Sequence, residues 1–445
     1  MARIFGTDGV RGVANTELTP ELAFNLGRAG AFVLAQHQTA EQSVRILVGK
    51  DTRLSGDLLA SALTAGILSV GADAYLAGVL PTPAVAWLTQ HKSMAAGVMI
   101  SASHNPAADN GIKFFAHNGC KLPDEIEDEI EYFLQHPEAV PRPAGDRVGR
   151  VQEVLDWPNL YVDYLLSLVR RPLLGLHVVV DCANGAVFQV ARLLFERLGI
   201  KTDLINATPD GLNINVKCGS TAPSGLAAKV QEVRADLGLA FDGDADRLIA
   251  VDHLGRIVNG DAIMAICAIA LKRAGLLAND TLVATVMSNL GLEKAMETAG
   301  IKLLRAQVGD RYVLATMLAE GANLGGEQSG HIIFLDHATT GDGLLTAMQL
   351  LQIVVESKQT LAELAAAVKP FPQVLHNVRV ADRSLLAADS VQQAIGQAEQ
   401  FLAGRGRLLV RPSGTEPLIR VMAEAETEEL AEQAACIVVA AIEAR

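Results

Sequence analysis

Three aspartates at alternate positions lie near the end of the run Leu237-Gly-Leu-Ala-Phe-Asp-Gly-Asp-Ala-Asp-Arg247. In an extended backbone, side chains two residues apart share one face, so the carboxylates of Asp242, Asp244 and Asp246 are expected to converge. Their mutual repulsion indicates a bound cation, and ligands that are all oxygen atoms favour a hard ion such as Mg²⁺. The sequence therefore predicts a metal site. Removing Asp244 alone is predicted to relieve repulsion and stabilise the metal-free protein.

Two other structures could also account for the aspartates. An EF-hand is disfavoured, because Arg247 stands where that loop needs glycine and His253 where it needs glutamate. A solvated turn after a strand is the simpler alternative, since aspartate and glycine are ordinary turn residues.

A serine follows another apolar strand, in the run Met99-Ile-Ser-Ala-Ser-His-Asn-Pro106. The turn at Asn105-Pro106 places Ser103 at a strand-to-loop junction, from which its hydroxyl can face a cleft. A hydrolase triad is not expected, because there is no GxSxG elbow and the adjacent His104 should point away from the serine. The alternative is a serine that only caps its own turn.

A phosphate cradle is predicted in the run Leu409-Val-Arg-Pro-Ser-Gly-Thr-Glu-Pro417, with one more arginine beyond it. Two hydroxyls, the backbone N–H groups around a glycine and two guanidinium groups could together bind a phosphate. No GxxxxGK[ST] motif occurs, so a nucleotide P-loop is excluded, and a polar hairpin turn is the alternative. The residues of this cradle are Arg411, Ser413, Gly414, Thr415 and Arg420.

Two further polar segments interrupt the apolar background. Gly325-Gly-Glu-Gln-Ser-Gly-His331 offers a carboxylate, an amide, a hydroxyl and an imidazole between glycines, which suits the hydroxyls of a sugar ring. Phe5-Gly-Thr-Asp-Gly-Val-Arg-Gly12 combines glycines that allow close approach of backbone with Arg11, which could reach an anion.

Composition limits the classes of function. The net charge is −13, which argues against non-specific nucleic-acid binding, although clustered arginines can still bind a small anion. Half of the 445 residues are hydrophobic and only 4% are aromatic, which predicts aliphatic cores. The chain shows no secretory signal and no convincing membrane segment, and its five cysteines are scattered without a CxxC pair, so a reduced cytoplasmic location is expected.

A strand, a polar loop, a helix closed by glycine and a second strand recur three times, beginning at Arg45, His177 and Thr281. This pattern is typical of βαβ units and a mostly parallel sheet. The tail after Pro372 reads instead as a small α+β domain. Breaks in the pattern predict domains at 1–150, 151–253, 254–370 and 371–445.

These segments resemble, in order and over essentially the whole chain, the signature loops of the α-D-phosphohexomutase superfamily. The resemblance implies three similar mixed α/β domains and a smaller C-terminal α+β domain around a central cleft. It also implies an isomerase that moves a phosphoryl group within a phosphosugar. The loops at 5–12, 308–313 and 326–331 are most similar to the branch that interconverts glucosamine 6-phosphate and glucosamine 1-phosphate, a step toward amino-sugar and peptidoglycan precursors.

The resemblance also implies roles for individual residues. Ser103 corresponds to the phosphoserine, and an oxygen of its phosphate would join Asp242, Asp244 and Asp246 around one Mg²⁺. The positions near the reacting phosphate are Arg11 and Arg247. The candidates for proton transfer are Lys113 and His331, and the readers of sugar hydroxyls are Glu327 and Ser329. The loop that grips the non-reacting phosphate is Arg411, Ser413, Gly414, Thr415 and Arg420.

The implied reaction passes through a sugar 1,6-bisphosphate, which would also act as an activator. No nucleic-acid or membrane partner is implied, and a homodimer is compatible with the resemblance. Two positions depart from the common pattern: Ala245 stands where glycine is frequent, a change that extended geometry would tolerate, and Gln307 stands where lysine is frequent. The alternatives are a phosphoglucomutase or phosphomannomutase of the same superfamily, a serine-dependent phosphatase, and a sugar-phosphate-binding protein without catalysis.

Overall fold

The computed structural model describes residues 3–6, 8–37, 44–380, 382–412 and 418–444. The chain divides into two compact units. Residues 1–287 and 301–367 form the first unit, and residues 288–300 and 368–445 form the second. Among these described residues, three β-sheets lie in the first unit and one lies in the second.

Six strands form the first sheet: β1 (Val10–Val13), β2 (Arg45–Lys50), β3 (Asp73–Val79), β4 (Ala96–Ile100), β5 (Asp109–Ala116) and β6 (Val151–Glu153). Their spatial order is β1-β5-β4-β2-β3-β6. The last four strands in this order, β4, β2, β3 and β6, are parallel to one another. Strand β5 is antiparallel to both of its neighbours, β4 and β1. The helices of this segment are α1 (Pro20–Gln36), α2 (Ser55–Leu68), α3 (Thr82–His91) and α4 (Asp124–Gln135). Every residue of β4 is buried, as expected for a strand covered on both faces, and this strand leads into the Ser103 loop.

The second sheet contains β7 (His177–Asp181), β8 (Lys201–Ile205), β9 (Leu237–Phe241), β10 (Leu248–Asp252) and β11 (Ile257–Val258). Their order is β11-β10-β9-β7-β8, and the helices are α5 (Trp157–Ser167), α6 (Phe188–Leu198) and α7 (Ser224–Val233). Strands β9 and β10 form an antiparallel pair in which Phe241 faces Leu248. The three aspartates therefore lie in the loop of a hairpin.

The third sheet contains β12 (Thr281–Thr285), β13 (Lys302–Ala306), β14 (Leu324–Gly326) and β15 (Ile332–Phe334), in the order β13-β12-β14-β15. The helices of this segment are α8 (Gly260–Arg273), α9 (Leu290–Ala299), α10 (Asp310–Glu320), α11 (Gly343–Ser357) and α12 (Leu361–Ala365). Strands β14 and β15 are an antiparallel pair, and residues 327–331 connect them. The chain between β12 and β13 forms α9, which belongs to the second unit.

The fourth sheet is an antiparallel one with the order β16-β18-β17, formed by β16 (Gln373–Arg379), β17 (Gly406–Pro412) and β18 (Leu418–Ala425). Its helices are α13 (Asp389–Leu402) and α14 (Glu428–Glu443). The predicted fold class, three mixed α/β segments followed by a smaller α+β segment, is confirmed. The sequence did not predict β18 or α13.

The predicted cores are aliphatic, and the buried residues are mainly alanine, leucine, valine and isoleucine. Helix α11 shows this most fully, since every residue from Gly343 to Val354 is buried. None of the helices in the described ranges combines the length and the apolar run that crossing a membrane would require.

The domain limits at 150/151 and 253/254 stay predictions, and strand pairing favours later positions for both. Strand β6 pairs with β3, so the first sheet includes Val151–Glu153. Strand β11 pairs with β10 across the turn at 253–255, so the second sheet extends to Val258. We propose limits just after these two strands.

Candidate active site

The loops that carry Ser103 and the three aspartates meet in the first unit, although they are far apart in the sequence. Ser103 Oγ donates a hydrogen bond to Asp242 Oδ2 at 2.6 Å. Ser103 and Asp242 are both buried, as are Asp244 and Asp246. A serine hydroxyl and a carboxylate cluster therefore lie side by side, where one ion could contact both.

The three aspartates converge as predicted, with one carboxylate oxygen of each lying within 4.8 Å of the others. The predicted reason for this convergence is wrong. Residues 243–246 form turns and bends rather than extended backbone, and Ala245 has a φ of 60°. The hairpin loop brings the carboxylates together. Ala245 is therefore held in the left-handed region, where glycine is favoured, so the Ala245 departure is not the neutral change that extended geometry would allow.

The hydrogen bonding of the carboxylate cluster is incomplete in the described structure. Within the described residues, Asp244 Oδ1 and Asp246 Oδ1 are buried and have no hydrogen-bond partner. Burial and the neighbouring carboxylates of Asp246 and Asp244 raise the pKa of Asp242 well above its ordinary value. Burial and Asp244 likewise raise the pKa of Asp246. Buried, unpartnered carboxylate oxygens of this kind suit a hard cation, so the donor set fits the predicted metal site.

Asp244 differs from the other two aspartates because it accepts a hydrogen bond from a lysine ammonium. Asp244 Oδ2 accepts hydrogen bonds from Lys113 Nζ at 2.8 Å and Thr82 Oγ1 at 2.6 Å. Burial would raise the pKa of Asp244, but Lys113 outweighs this effect and lowers it. This pairing argues against the prediction that removing Asp244 stabilises the metal-free protein, because the change would leave the Lys113 ammonium beside fewer anions in a buried site.

Lys113 is a buried cation held by two carboxylates. Its Nζ lies 2.8 Å from Asp244 Oδ2 and 3.0 Å from Asp8 Oδ2. Burial alone would lower the pKa of Lys113, but Asp244, Asp8 and Asp246 outweigh it and raise the pKa well above its ordinary value. In this arrangement Lys113 is protonated and gives up its proton less readily than an ordinary lysine.

The two arginines near the cluster are bound differently. The backbone N–H of Arg247 donates to Asp242 Oδ1 at 3.3 Å, and its Nε lies 3.8 Å from Asp246 Oδ1. Burial would lower the pKa of Arg247, but Asp246 and Asp242 raise it. The Arg11 guanidinium pairs with Asp8, which also contacts Lys113. Both arginines therefore supply positive charge next to the carboxylates.

His104 lies closer to the serine than the sequence predicted. Its Nδ1 is 3.3 Å from Ser103 Oγ, so the expectation that the two side chains point apart is wrong. The physical reason is the φ of 51° at Ser103, which places the serine in the left-handed region rather than in a continuing strand. Burial, together with Arg247 and Arg11, lowers the pKa of His104 to about 4, so the ring is neutral near pH 7.

The predicted sugar-reading loop connects β14 to β15 and contacts the aspartate hairpin. His331 and Arg247 form a backbone bridge, and Leu248 N–H donates to the Gly330 carbonyl at 3.0 Å. His331 Nε2 accepts the Gly341 N–H at 3.1 Å and lies 4.0 Å from Asp246 Oδ2. His331 is therefore brought to the edge of the carboxylate cluster.

Glu327 and Ser329 contact each other within this loop. Ser329 Oγ donates to Glu327 Oε2 at 3.1 Å, and the Gly309 N–H donates to Glu327 Oε1 at 3.1 Å. The loop containing Gln307 and Gly309, whose role the sequence left open, is thus attached to the sugar-reading loop. Both side chains are partly exposed and could exchange these contacts for those of a ligand.

The second unit carries the predicted phosphate cradle. Arg411 in β17 and Arg420 in β18 are directly paired across the two strands. Burial and the neighbouring Arg420 lower the pKa of Arg411, and like charges placed opposite each other favour an anion between or beside them. The three other residues of this cradle, Ser413, Gly414 and Thr415, lie outside the described residues.

The sequence reasoning missed a charged network that supports Lys113. Asp8 contacts Lys113, Arg11 and Lys121, and Lys121 Nζ lies 2.6 Å from Asp310 Oδ2. Burial would raise the pKa of Asp8, but the three cations lower it well below its ordinary value. Asp8 was visible as the one acidic residue of the Phe5–Gly12 segment, but nothing in the sequence indicated its partners.

Comparison with known proteins gives a consistent result along the chain. Models of the phosphoglucomutase/phosphomannomutase family match four successive parts: alpha/beta/alpha domain I at 2–140, domain II at 159–255, domain III at 259–371 and the C-terminal domain at 350–441. A phosphoglucosamine mutase of Carboxydothermus hydrogenoformans is 55% identical over 445 residues, which cover 100% of each chain.

Solved structures show the same fold at lower identity. A phosphoglucomutase/phosphomannomutase family protein from Burkholderia thailandensis aligns with a TM-score of 0.82 and 24% identity, over 99% of this chain and 97% of that one. Aspergillus fumigatus N-acetylphosphoglucosamine mutase, solved in complex with GlcNAc-6P and magnesium, aligns with a TM-score of 0.67 and 19% identity, over 98% and 95%. With four family models in order and a full-length relative at 55% identity, the chain belongs to the phosphoglucomutase/phosphomannomutase family, within the α-D-phosphohexomutase superfamily.

Proposed function

We propose that the protein interconverts glucosamine 6-phosphate and glucosamine 1-phosphate, with Ser103 as the carrier of the phosphoryl group. The contact between Ser103 Oγ and Asp242 supports this proposal most strongly, because it joins a phosphorylatable hydroxyl to a buried carboxylate cluster. The full-length relative at 55% identity is named for this substrate class, which favours glucosamine over glucose or mannose.

In the proposed reaction, the bond between phosphorus and Ser103 Oγ breaks while a bond forms from phosphorus to the free hydroxyl of the sugar phosphate. The hydroxyl loses its proton and Ser103 Oγ gains one, so the step is balanced. The resulting sugar 1,6-bisphosphate then turns over and returns its other phosphate to Ser103. A bisphosphate added from outside would phosphorylate Ser103 by the second half of this cycle and so activate the protein.

The residues around Ser103 have charges that suit this transfer. Lys113 is protonated, so its positive charge, with those of Arg247 and Arg11, could stabilise the phosphoryl oxygens during transfer. His331 Nε2 accepts the Gly341 N–H, so in this arrangement the ring proton is on Nδ1. Proton transfer to or from the sugar is proposed for Lys113 and His331.

Asp242, Asp244 and Asp246 would hold one Mg²⁺, together with the oxygen carried by Ser103. A bound divalent cation would supply positive charge to the phosphoryl oxygens as charge develops on them. The oxygen-only donor set and the buried, unpartnered oxygens of Asp244 and Asp246 support this choice of ion. Arg411 and Arg420, with Ser413, Gly414 and Thr415, are proposed to grip the phosphate that is not transferred.

Substrate preference tests this proposal directly. We expect purified protein to have a higher kcat/KM for glucosamine 6-phosphate than for glucose 6-phosphate or mannose 6-phosphate, measured by the formation of each 1-phosphate. A higher value for glucose or mannose 6-phosphate would assign the protein to another branch of the family. Stoichiometric release of inorganic phosphate would indicate a phosphatase.

Glu327 gives a second test. We expect Glu327→Ala to lower kcat/KM by about 10- to 100-fold, since a hydrogen bond to a charged group is worth roughly 1.5–3 kcal/mol. The melting temperature should change little, because Glu327 is only partly buried. Glu196→Ala, which removes an exposed glutamate from α6, is the matched control. An unchanged kcat/KM in Glu327→Ala would remove this loop from the substrate site.

A further inference from the structure

We infer that Arg53 and Asn215 are positioning residues that fix the backbone of Ser103, so that its Oγ points at the aspartate cluster. Neither residue was singled out by the sequence, and neither side chain contacts the cluster itself in the described structure. This inference rests on the proposed function, because it explains how the proposed phosphoryl carrier is oriented. Its basis is the set of hydrogen bonds made by the Ser103 loop.

Arg53 has all five of its guanidinium N–H groups directed at acceptors. Nε donates to Asp51 Oδ2 at 2.8 Å, and the side chains of this ion pair are completely buried. The other four N–H groups donate to backbone carbonyls of the serine loop, those of Ser103 (3.0 Å), Asn105 (2.8 Å), Asp109 (3.0 Å) and Pro106. Only arginine offers five donors in a fixed planar fork, so no other side chain could reproduce this set.

Asn215 holds the same loop from the segment that follows β8. Its Nδ2 donates to the carbonyl of Ser103 at 2.9 Å and to that of Asn105 at 3.2 Å. The Ser103 carbonyl therefore accepts one hydrogen bond from Arg53, next to the first sheet, and one from Asn215, next to the second sheet. Two independent donors fix the direction of a single peptide group.

The N–H of Ser103 is fixed through the same ion pair. It donates to Ser101 Oγ at 2.9 Å, and the Ser101 hydroxyl donates in turn to Asp51 Oδ2 at 2.6 Å. Asp51 Oδ2 is also the atom that accepts from Arg53 Nε. The N–H and the carbonyl of Ser103 are thus both linked by hydrogen bonds to the Asp51–Arg53 pair. We infer that these links maintain the φ of 51° at Ser103.

The aspartate hairpin leaves little space for this loop to shift. A Cβ added to Gly243 would lie 2.5 Å from the Ser103 carbonyl oxygen and 2.9 Å from Asn215 Nδ2. The serine loop and the hairpin therefore pack backbone against backbone. If the Ser103 peptide rotated, Ser103 Oγ would move away from Asp242. The groups proposed to read the sugar and to grip the phosphate that is not transferred lie in other loops.

Because the Ser103 loop is separate from the groups proposed to bind substrate, a change that loosens this loop should lower kcat more than it changes KM. Arg53→Lys keeps a positive charge beside Asp51 but has only three donors, so several loop carbonyls lose their partner. We expect kcat to fall by about 10²-fold, the scale of an ångström misplacement, with KM changed by less than about twofold. Phosphorylation of Ser103 by a sugar 1,6-bisphosphate should slow by a similar factor.

Two further variants complete the test. Arg28→Lys is the matched control. Arg28 is a buried arginine of α1 that donates to the Val140 carbonyl, away from the serine loop. It should leave kcat unchanged. Asn215→Ala removes two donors without leaving a buried charge, so it serves if Arg53→Lys does not fold, and it should also lower kcat more than KM. Unchanged kcat in Asn215→Ala and in folded Arg53→Lys, or equal losses in Arg53→Lys and Arg28→Lys, would overturn the inference.

Hydrogen–deuterium exchange separates this inference from the proposed function. The amides of residues 103–109 should exchange faster in Arg53→Lys and Asn215→Ala than in the wild type, and at the wild-type rate in Arg28→Lys. If the wild type fails to convert any sugar phosphate, the proposed function is wrong, but this exchange comparison still applies. Equal exchange in all four proteins would show that Arg53 and Asn215 do not position the loop.

Discussion

Replacing Ser103 by alanine is expected to lower kcat by at least about 10³-fold, the scale seen when a covalent nucleophile is removed. The hydroxyl is small, and its loss removes only the hydrogen bond to Asp242 and the contact with His104, so the melting temperature should change little. Adding a sugar 1,6-bisphosphate should activate unphosphorylated wild type, because the bisphosphate can phosphorylate Ser103, and should have no effect on the alanine variant. Coupled measurement of the 1-phosphate product gives both results.

Ser101 supplies the internal control for this prediction. It lies two positions before Ser103, but its hydroxyl donates to Asp51 and accepts the Ser103 N–H. Ser101→Ala should therefore retain phosphorylation at Ser103 and lose less activity than Ser103→Ala. Loss of activity in Ser101→Ala with full activity in Ser103→Ala would mean that the nucleophile has been assigned two residues too late.

Removal of divalent metal is expected to abolish activity, and Mg²⁺ should restore it. A thiophilic metal should substitute poorly, because every ligand is a hard oxygen atom. Binding should also stabilise the protein, by about 2.7 kcal/mol when free Mg²⁺ is 100 times the dissociation constant. Differential scanning fluorimetry with and without Mg²⁺ measures this effect independently of catalysis. Full activity after exhaustive chelation would show that the aspartates form an ordinary turn.

Asp246→Asn provides a second measurement on the same site. Because burial and Asp244 raise the pKa of Asp246, its charged form costs stability in the metal-free folded protein above that pKa. The neutral asparagine avoids this cost, so metal-free Asp246→Asn should melt at a higher temperature than metal-free wild type at pH 8. The difference should shrink as the pH falls toward the ordinary carboxylate pKa, and Mg²⁺ should stabilise the variant less than the wild type. A lower melting temperature for the metal-free variant at pH 8 would contradict this charge assignment.

Local sequence patterns predicted the elements of the fold but not the contacts between loops. The three βαβ units and the convergence of the aspartates were predictable, since each depends on neighbouring residues. The pairing of Asp244 with Lys113 was not, because the two residues are 131 positions apart and meet only when the first and second sheets pack. The contact of His104 with Ser103 depends on a left-handed φ that the run of residues did not indicate.

The C-terminal segment shows a different limit. Arg420 was predicted to lie beyond the run 409–417, and the structure adds that it belongs to β18 and faces Arg411 directly. The run Leu418–Ala425 was missed as a strand because its two charged residues interrupt an otherwise apolar pattern. A prediction based on alternation alone could not show that one of these charges, Glu424, is buried.

Transfer of the phosphoryl group from Ser103 to the sugar can be observed in a single turnover. Wild type phosphorylated with a sugar 1,6-bisphosphate and freed of excess reagent would be mixed with glucosamine 6-phosphate in the presence of Mg²⁺. Mass spectrometry would follow the tryptic peptide of residues 93–113, with fragmentation to locate the phosphate. The starting phosphate on Ser103 would carry an ¹⁸O label, because each complete cycle returns the substrate's own phosphate to Ser103. We expect the labelled phosphate to leave Ser103 and appear in sugar bisphosphate or glucosamine 1-phosphate, with unlabelled phosphate replacing it on Ser103. Labelled phosphate that stays on Ser103 while glucosamine 1-phosphate accumulates, or that is found on another residue, would contradict the role of Ser103 as carrier.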